Sequence, residues 1–175
     1  MLPSSYAELA CSIARALEVV GERWSLLIVR DSLRGVTRFD DFQSSLGLAR
    51  NVLSTRLEHL VGEGVLRRQP YGRGRRHDYL LTSKGHELAT ALIALQQWGD
   101  HYYPGPDGPP RLITHADCGG PVTARLVCGE EEQPVAPDRI AVLPGPGAGA
   151  RLSASPAGSS LHASGRRGGS ETLAR

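Results

Sequence analysis

The sequence is poor in cysteine, with Cys11, Cys118 and Cys128 alone, and an odd count of three makes no disulfide framework. Long apolar runs are missing, and none approaches the ~18 residues that a membrane helix needs. The first residues, MLPSSYAELACS, lack the basic and apolar stretches of a secretory signal. These absences lead to the expectation of a soluble, cytoplasmic protein with no membrane partner. An excess of one charge sign is also absent: 20 Lys+Arg face 18 Asp+Glu, so no global polycation draws the chain to nucleic acid. No G-x-S-x-G, Walker loop, H-E-x-x-H or strand-borne G-x-G-x-x-G occurs, so an enzyme is not expected.

What is present is unevenly placed. All nine aromatic residues lie within the first 103 positions, and Pro104 to Pro110 (PGPDGPP) then forbids helix or central strand. Of the 32 residues from Pro144 onward, 22 are Gly, Pro, Ala or Ser, too little apolar surface to offset chain entropy. The expected organisation is a core domain over 1–103, a linker with a small hairpin appendage over 104–143, and a disordered tail over 144–175.

Within the core the apolar spacing reads as helices first. Leu9, Ile13, Leu17 and Val20 recur one turn apart as a core stripe. The run from Trp24 to Leu33 is apolar almost all round, the pattern of a central buried helix. Phe39, Phe42 and Leu46 mark a short third helix, and Leu53, Leu57, Leu60 and Val61 stripe a fourth from about Arg50. The period then changes. Val65 to Gln69 and His77 to Leu81 read as strands joined by the arginine-rich turn Pro70 to Arg76, and Thr82 or Ser83 caps a last long helix. This order predicts a mainly α fold with a small β-wing (α+β), a winged helix–turn–helix.

Basic charge gathers where such a fold would use it. Between Arg50 and Lys84 eight basic residues face only Glu58, Glu63 and Asp78. With Leu53, Leu57 and Leu60 buried, Asn51 and Thr55 point away from the core, flanked by Arg50 and Ser54, with Arg56 beside them. Asn pairs with adenine, Arg with guanine, and Ser or Thr with either base or phosphate, so this face suits a major groove. Arg73, Arg75 and Arg76 of the wing suit phosphates or the minor groove. A winged-helix module used only for protein interaction is the alternative, and it would not need this basic excess.

Several segments also carry a family likeness in order along about 93 residues. Gly21-Glu22-Arg23-Trp24-Ser25-Leu26-Leu27-Ile28, Arg38-Phe39-Asp40-Asp41-Phe42, Asn51-Val52-Leu53-Ser54-Thr55-Arg56-Leu57, Gly64-Val65-Leu66-Arg67-Arg68, Tyr79-Leu80-Leu81-Thr82-Ser83-Lys84-Gly85 and Gln97-Trp98-Gly99 resemble the successive motifs of the HxlR-type winged-helix transcriptional regulators, relatives of the MarR type. The wing departs from the family's common Pro-Pro pair, with Gly72-Arg73-Gly74-Arg75-Arg76 instead. The resemblance implies a homodimer that represses or activates promoters, and it supplies neither the operator nor the inducer. Two recognition helices related by a two-fold axis would read double-stranded DNA at an operator with an inverted repeat, and a small-molecule inducer is the other partner to expect. Some members of that family sense oxidants or aldehydes through a cysteine placed like Cys11. Here two readings stay open, a redox sensor or an inert thiol packed against a partner subunit.

The appendage holds His115, Cys118 and Cys128. His115-x2-Cys118 has knuckle spacing, but the matching position after Cys128-Gly129-Glu130 holds Glu131, leaving an incomplete zinc set. No cofactor is therefore expected, and these three residues are weak metal candidates.

Overall fold

The computed structural model describes residue 6, residues 11–72 and residues 76–148. Leu9, Arg73, Arg75 and the tail from 149 onward, all singled out above, lie outside the described residues. Two compact units divide between Arg125 and Leu126.

The first unit follows the expected order. Helices α1 (Ser12–Val20), α2 (Ser25–Leu33), α3 (Phe39–Leu46) and α4 (Arg50–Gly62) precede strands β1 (Leu66–Pro70) and β2 (His77–Leu81), and α5 (Ser83–Tyr102) closes it. The strands pair antiparallel, with Leu66 opposite Leu81 and Pro70 opposite His77. A third, one-residue partner joins them: Arg38 bridges Asp78, and the Tyr79 N–H donates to the Thr37 carbonyl at 2.8 Å.

The core forms where the periodic stripes meet. Ile28 and Val29 of α2, Phe42 of α3, and Leu53, Leu57 and Leu60 of α4 are fully enclosed, with Val65 and Leu66 at the strand entry. Each such burial contributes about 1.5–3 kcal/mol, enough to fix α3 and α4 against α2 as one body. Gly47 makes the tight turn between α3 and α4, because its φ of 64° is a left-handed conformation that a Cβ disfavours.

The start of α5 is bolted to the sheet. The Thr82 hydroxyl accepts from the Gly85 N–H at 3.2 Å and donates to the Gly64 carbonyl, and Lys84 Nζ donates to the Glu63 carbonyl. A Cβ on Gly85 would come within 2.3 Å of the Val65 carbonyl oxygen, so only glycine allows this approach.

Inside α2 one acid breaks the apolar pattern. Asp31 is 1% exposed. Its Oδ1 accepts from Arg30 and Arg34, and its Oδ2 accepts from the Ser45 hydroxyl of α3 at 2.7 Å. This carboxylate ties α2 to α3 by charge-assisted bonds.

One expectation needs correction. Ile13 and Leu17, read as part of a core stripe, are exposed, and among the described residues of α1 only Val20 is buried. The stripe is apolar, but among the described residues only its Val20 end meets the core. The hairpin expected in the appendage is short: Thr114 bridges Pro121 antiparallel, with the His115 N–H bonded to the Gly120 carbonyl and the Val122 N–H to the Ile113 carbonyl. Proline at 121 withholds a donor, and the Ala124 N–H goes instead to the Gln97 side chain of α5. The second unit has its own bridge, Val127 to Pro134, and a 3-10 turn at Pro137–Arg139.

Candidate nucleic-acid interface

The packing of Leu53, Leu57 and Leu60 decides which side of α4 meets solvent. Arg50, Asn51 and Thr55 are exposed and Ser54 is half-buried beside them. Hydroxyls along this face are already steered: Thr55 donates to the Asn51 carbonyl, and Ser54 reaches Glu58 at 3.3 Å. The Arg50 guanidinium lies over the Phe39 ring at 4.7 Å and 3.6 Å from Asp40. Four residues named from the sequence, Arg50, Asn51, Ser54 and Thr55, thus share one solvent-facing side, and Arg76 of the wing is exposed near its start.

Arg56 does not join them. It is mostly buried and pairs with Glu22 at 3.1 Å, in the turn between α1 and α2. Beside it, His59 shares a 3.0 Å hydrogen bond with the Val19 carbonyl. Helical spacing places Arg56 next to Thr55, but its long side chain swings toward a carboxylate 34 positions away. Arg56 is a bolt between α4 and the end of α1.

Sequence reasoning also missed a group at the other edge. Arg38, Tyr71 and His77 line a cleft of about 430 Å³ together with Arg50, Ser54 and Arg76. It opens between the α3 entry, the α4 start and the wing base. The signal was the arginine directly before Phe39, and it is weak because a one-residue bridge leaves no alternation to read.

The other candidates are dispersed. Cys11 is exposed and stands as the residue that caps α1 rather than inside the helix, and the Arg15 guanidinium turns to Ser12. In the first unit His115 Nδ1 lies 3.3 Å from Cys118 Sγ, with Asp117 at 3.6 Å from Nε2. In the second unit the backbone N–H groups of Glu131, and then Glu130, hold the Cys128 thiol below its usual value. Among the described residues no three His, Cys, Asp or Glu side chains gather as a metal site. No helix there is long and apolar enough to cross a membrane.

Comparison with known proteins bears on this geometry. The model of the HxlR-like helix–turn–helix family matches residues 19–106. An uncharacterized HTH-type transcriptional regulator of Mycobacterium tuberculosis is 43% identical over 145 residues, which are 82% of this chain and 92% of that protein. The crystal structure of PA1607, named there as a transcription factor, superposes with a TM-score of 0.72 at 40% identity, covering 79% of this chain and 97% of that one. PA1374 from Pseudomonas aeruginosa, also named as a transcription factor, gives 0.57 at 39% identity, covering 81% and 97%.

Proposed function

The chain belongs to the HxlR-like helix–turn–helix family, and from that premise we propose that it regulates transcription as a homodimer that binds duplex DNA sequence-specifically. The observation that carries this reading is the α4 face of Arg50, Asn51, Ser54 and Thr55. It is held out by a fully buried leucine stripe and flanked by the wing. In the major groove Asn51 reads adenine and Arg50 reads guanine, while Arg73, Arg75 and Arg76 add affinity that is indifferent to sequence. On this reading the protein works in the cytoplasm.

The test is selection of duplexes from a random pool, followed by measurement of each base position. Asn51→Ala should cost about 1–3 kcal/mol at one base position and leave the others in place. Uniform weakening at every position would make Asn51 a positioning residue. Failure of the wild type to enrich any sequence would favour the protein-interaction module instead.

The two-fold partner is a second copy of this chain. Ile13 and Leu17 on α1, and Leu95, Trp98 and Tyr102 on one side of α5, form apolar faces that the single chain leaves open. Trp98 also stacks near Tyr102 and Tyr103, each at 5.4 Å between centroids. Exposed aromatic and aliphatic surface of this kind marks an interface, and our reading places it on α1 and α5.

Cys11 adds a response to oxidants or aldehydes, since an exposed thiol at the head of α1 meets solutes and borders the same apolar helix. Treatment with an aldehyde should change DNA affinity in the wild type and in Cys118→Ser/Cys128→Ser, but not in Cys11→Ser. A response that survives Cys11→Ser and disappears in the double variant moves sensing to the appendage.

A further inference from the structure

The cleft between the α3 entry, the α4 start and the wing base has the wrong walls for an apolar ligand. Arg38, Arg50 and Arg76 line it with Tyr71, His77 and Ser54, and the acid among its walls, Asp40, already sits 3.6 Å from Arg50. We propose that this cleft seats a phosphodiester of the DNA backbone and that Arg38 is the residue that holds it. The inference rests on the DNA-binding reading and names a contact within it.

Arg38 is preset for this role at three levels. Its backbone is fixed by the bridge to Asp78 and by the Tyr79 N–H bonded to the Thr37 carbonyl. Its guanidinium lies over the Tyr71 ring at 5.1 Å, so little side-chain freedom remains to lose on binding. Its Nε is 4.0 Å from Asp78, too far for a hydrogen bond, and that carboxylate already accepts from the Thr37 hydroxyl at 3.0 Å. A planar fork with donors unspent among the described residues, over an aromatic face and beside two other arginines, matches a phosphate oxygen pair.

Duplex geometry supplies the occupant. A recognition helix in the major groove and a wing at the adjacent minor groove are separated by one sugar-phosphate strand. The cleft lies between those two elements, so that strand passes its mouth. A free phosphate ester offers the same oxygens, and the experiment separates the two sources.

Binding of a random-sequence duplex is followed by fluorescence anisotropy over a range of KCl concentrations, for the wild type, Arg38→Gln and Arg38→Lys, with thermal melts of each. Arg38→Gln should lower the slope of log affinity against log salt by about 0.9 per protomer, one phosphate's worth. Arg38→Lys keeps the charge and the slope but loses the stacked fork, and should bind about threefold more weakly. If Arg38→Gln melts early, the lysine variant carries the test, and wild-type affinity in it overturns the proposal. An unchanged slope in a folded Arg38→Gln also overturns it, while the wild type's own steep slope leaves the DNA-binding reading standing. A wild type without salt dependence defeats that reading itself. Millimolar inorganic phosphate should not raise the wild type's melting temperature above that of Arg38→Gln. If it does while the slopes agree, the cleft takes a free anion and the proposal fails.

Discussion

Replacing Asp31 with alanine is expected to lower the unfolding free energy by about 2–3 kcal/mol, a large share of the 5–15 kcal/mol usual for a domain. The carboxylate is 1% exposed and accepts from Arg30, Arg34 and Ser45. Breaking a fully buried ion pair costs about 3–5 kcal/mol, because the abandoned charge stays buried. Here the abandoned groups are arginines with side chains 40% and 43% exposed, which can turn to water, so the cost falls below that range. Asp31→Asn keeps an acceptor for Ser45 and should lose about half as much. Urea titration of the two variants checks both values. A loss below about 0.5 kcal/mol for alanine would mean that α2 and α3 are held by apolar packing alone.

The second large effect concerns the apolar side of α5. Leu95→Glu combined with Trp98→Glu should leave a folded monomer by sedimentation. The reason is that both side chains are 52% exposed in the single chain and add nothing to its core. A carboxylate at each position, set against its two-fold mate, is costly to desolvate. Losing the partner removes one of two linked half-site contacts, so affinity for an inverted repeat should fall at least about 100-fold, or roughly 2.7 kcal/mol. Retention of a dimer in this variant would move the interface elsewhere. Retention of affinity by a monomer would remove the need for two half-sites.

Much of the fold could be read along the chain because the leucines of α4 recur at helical spacing and the α2 run is apolar almost all round. Leu53, Leu57 and Leu60 fall on one face, and their burial dictates that Asn51 and Thr55 face outward. The change to strand period after Val65, with arginines in the turn, marked the wing. Four features were not legible, each for a physical reason. Periodicity identified Ile13 and Leu17 as an apolar stripe but carries no information on whether the covering surface belongs to the same chain. Arg56 is fixed by Glu22, far off in sequence, and no local pattern announces such an ion pair. Arg38 meets β2 through a single bridge, too short to show the alternation by which strands are recognised. Asp31 belongs with these, since a lone acid inside an apolar helix looks the same whether it is buried with partners or exposed.

The central claim is that two copies of the α4 face read one operator, and footprinting of the wild type on a duplex enriched from a random pool tests it most directly. The fold and its open α5 face lead to two protected patches related by a two-fold axis, with centres about 34–36 Å apart along one side of the duplex, one helical turn or a multiple of it. Bases within each patch should lose protection in Asn51→Ala, and the phosphates between the helix and wing contacts should lose it in Arg38→Gln. A single protected patch, or uniform protection along the whole duplex, would contradict the claim.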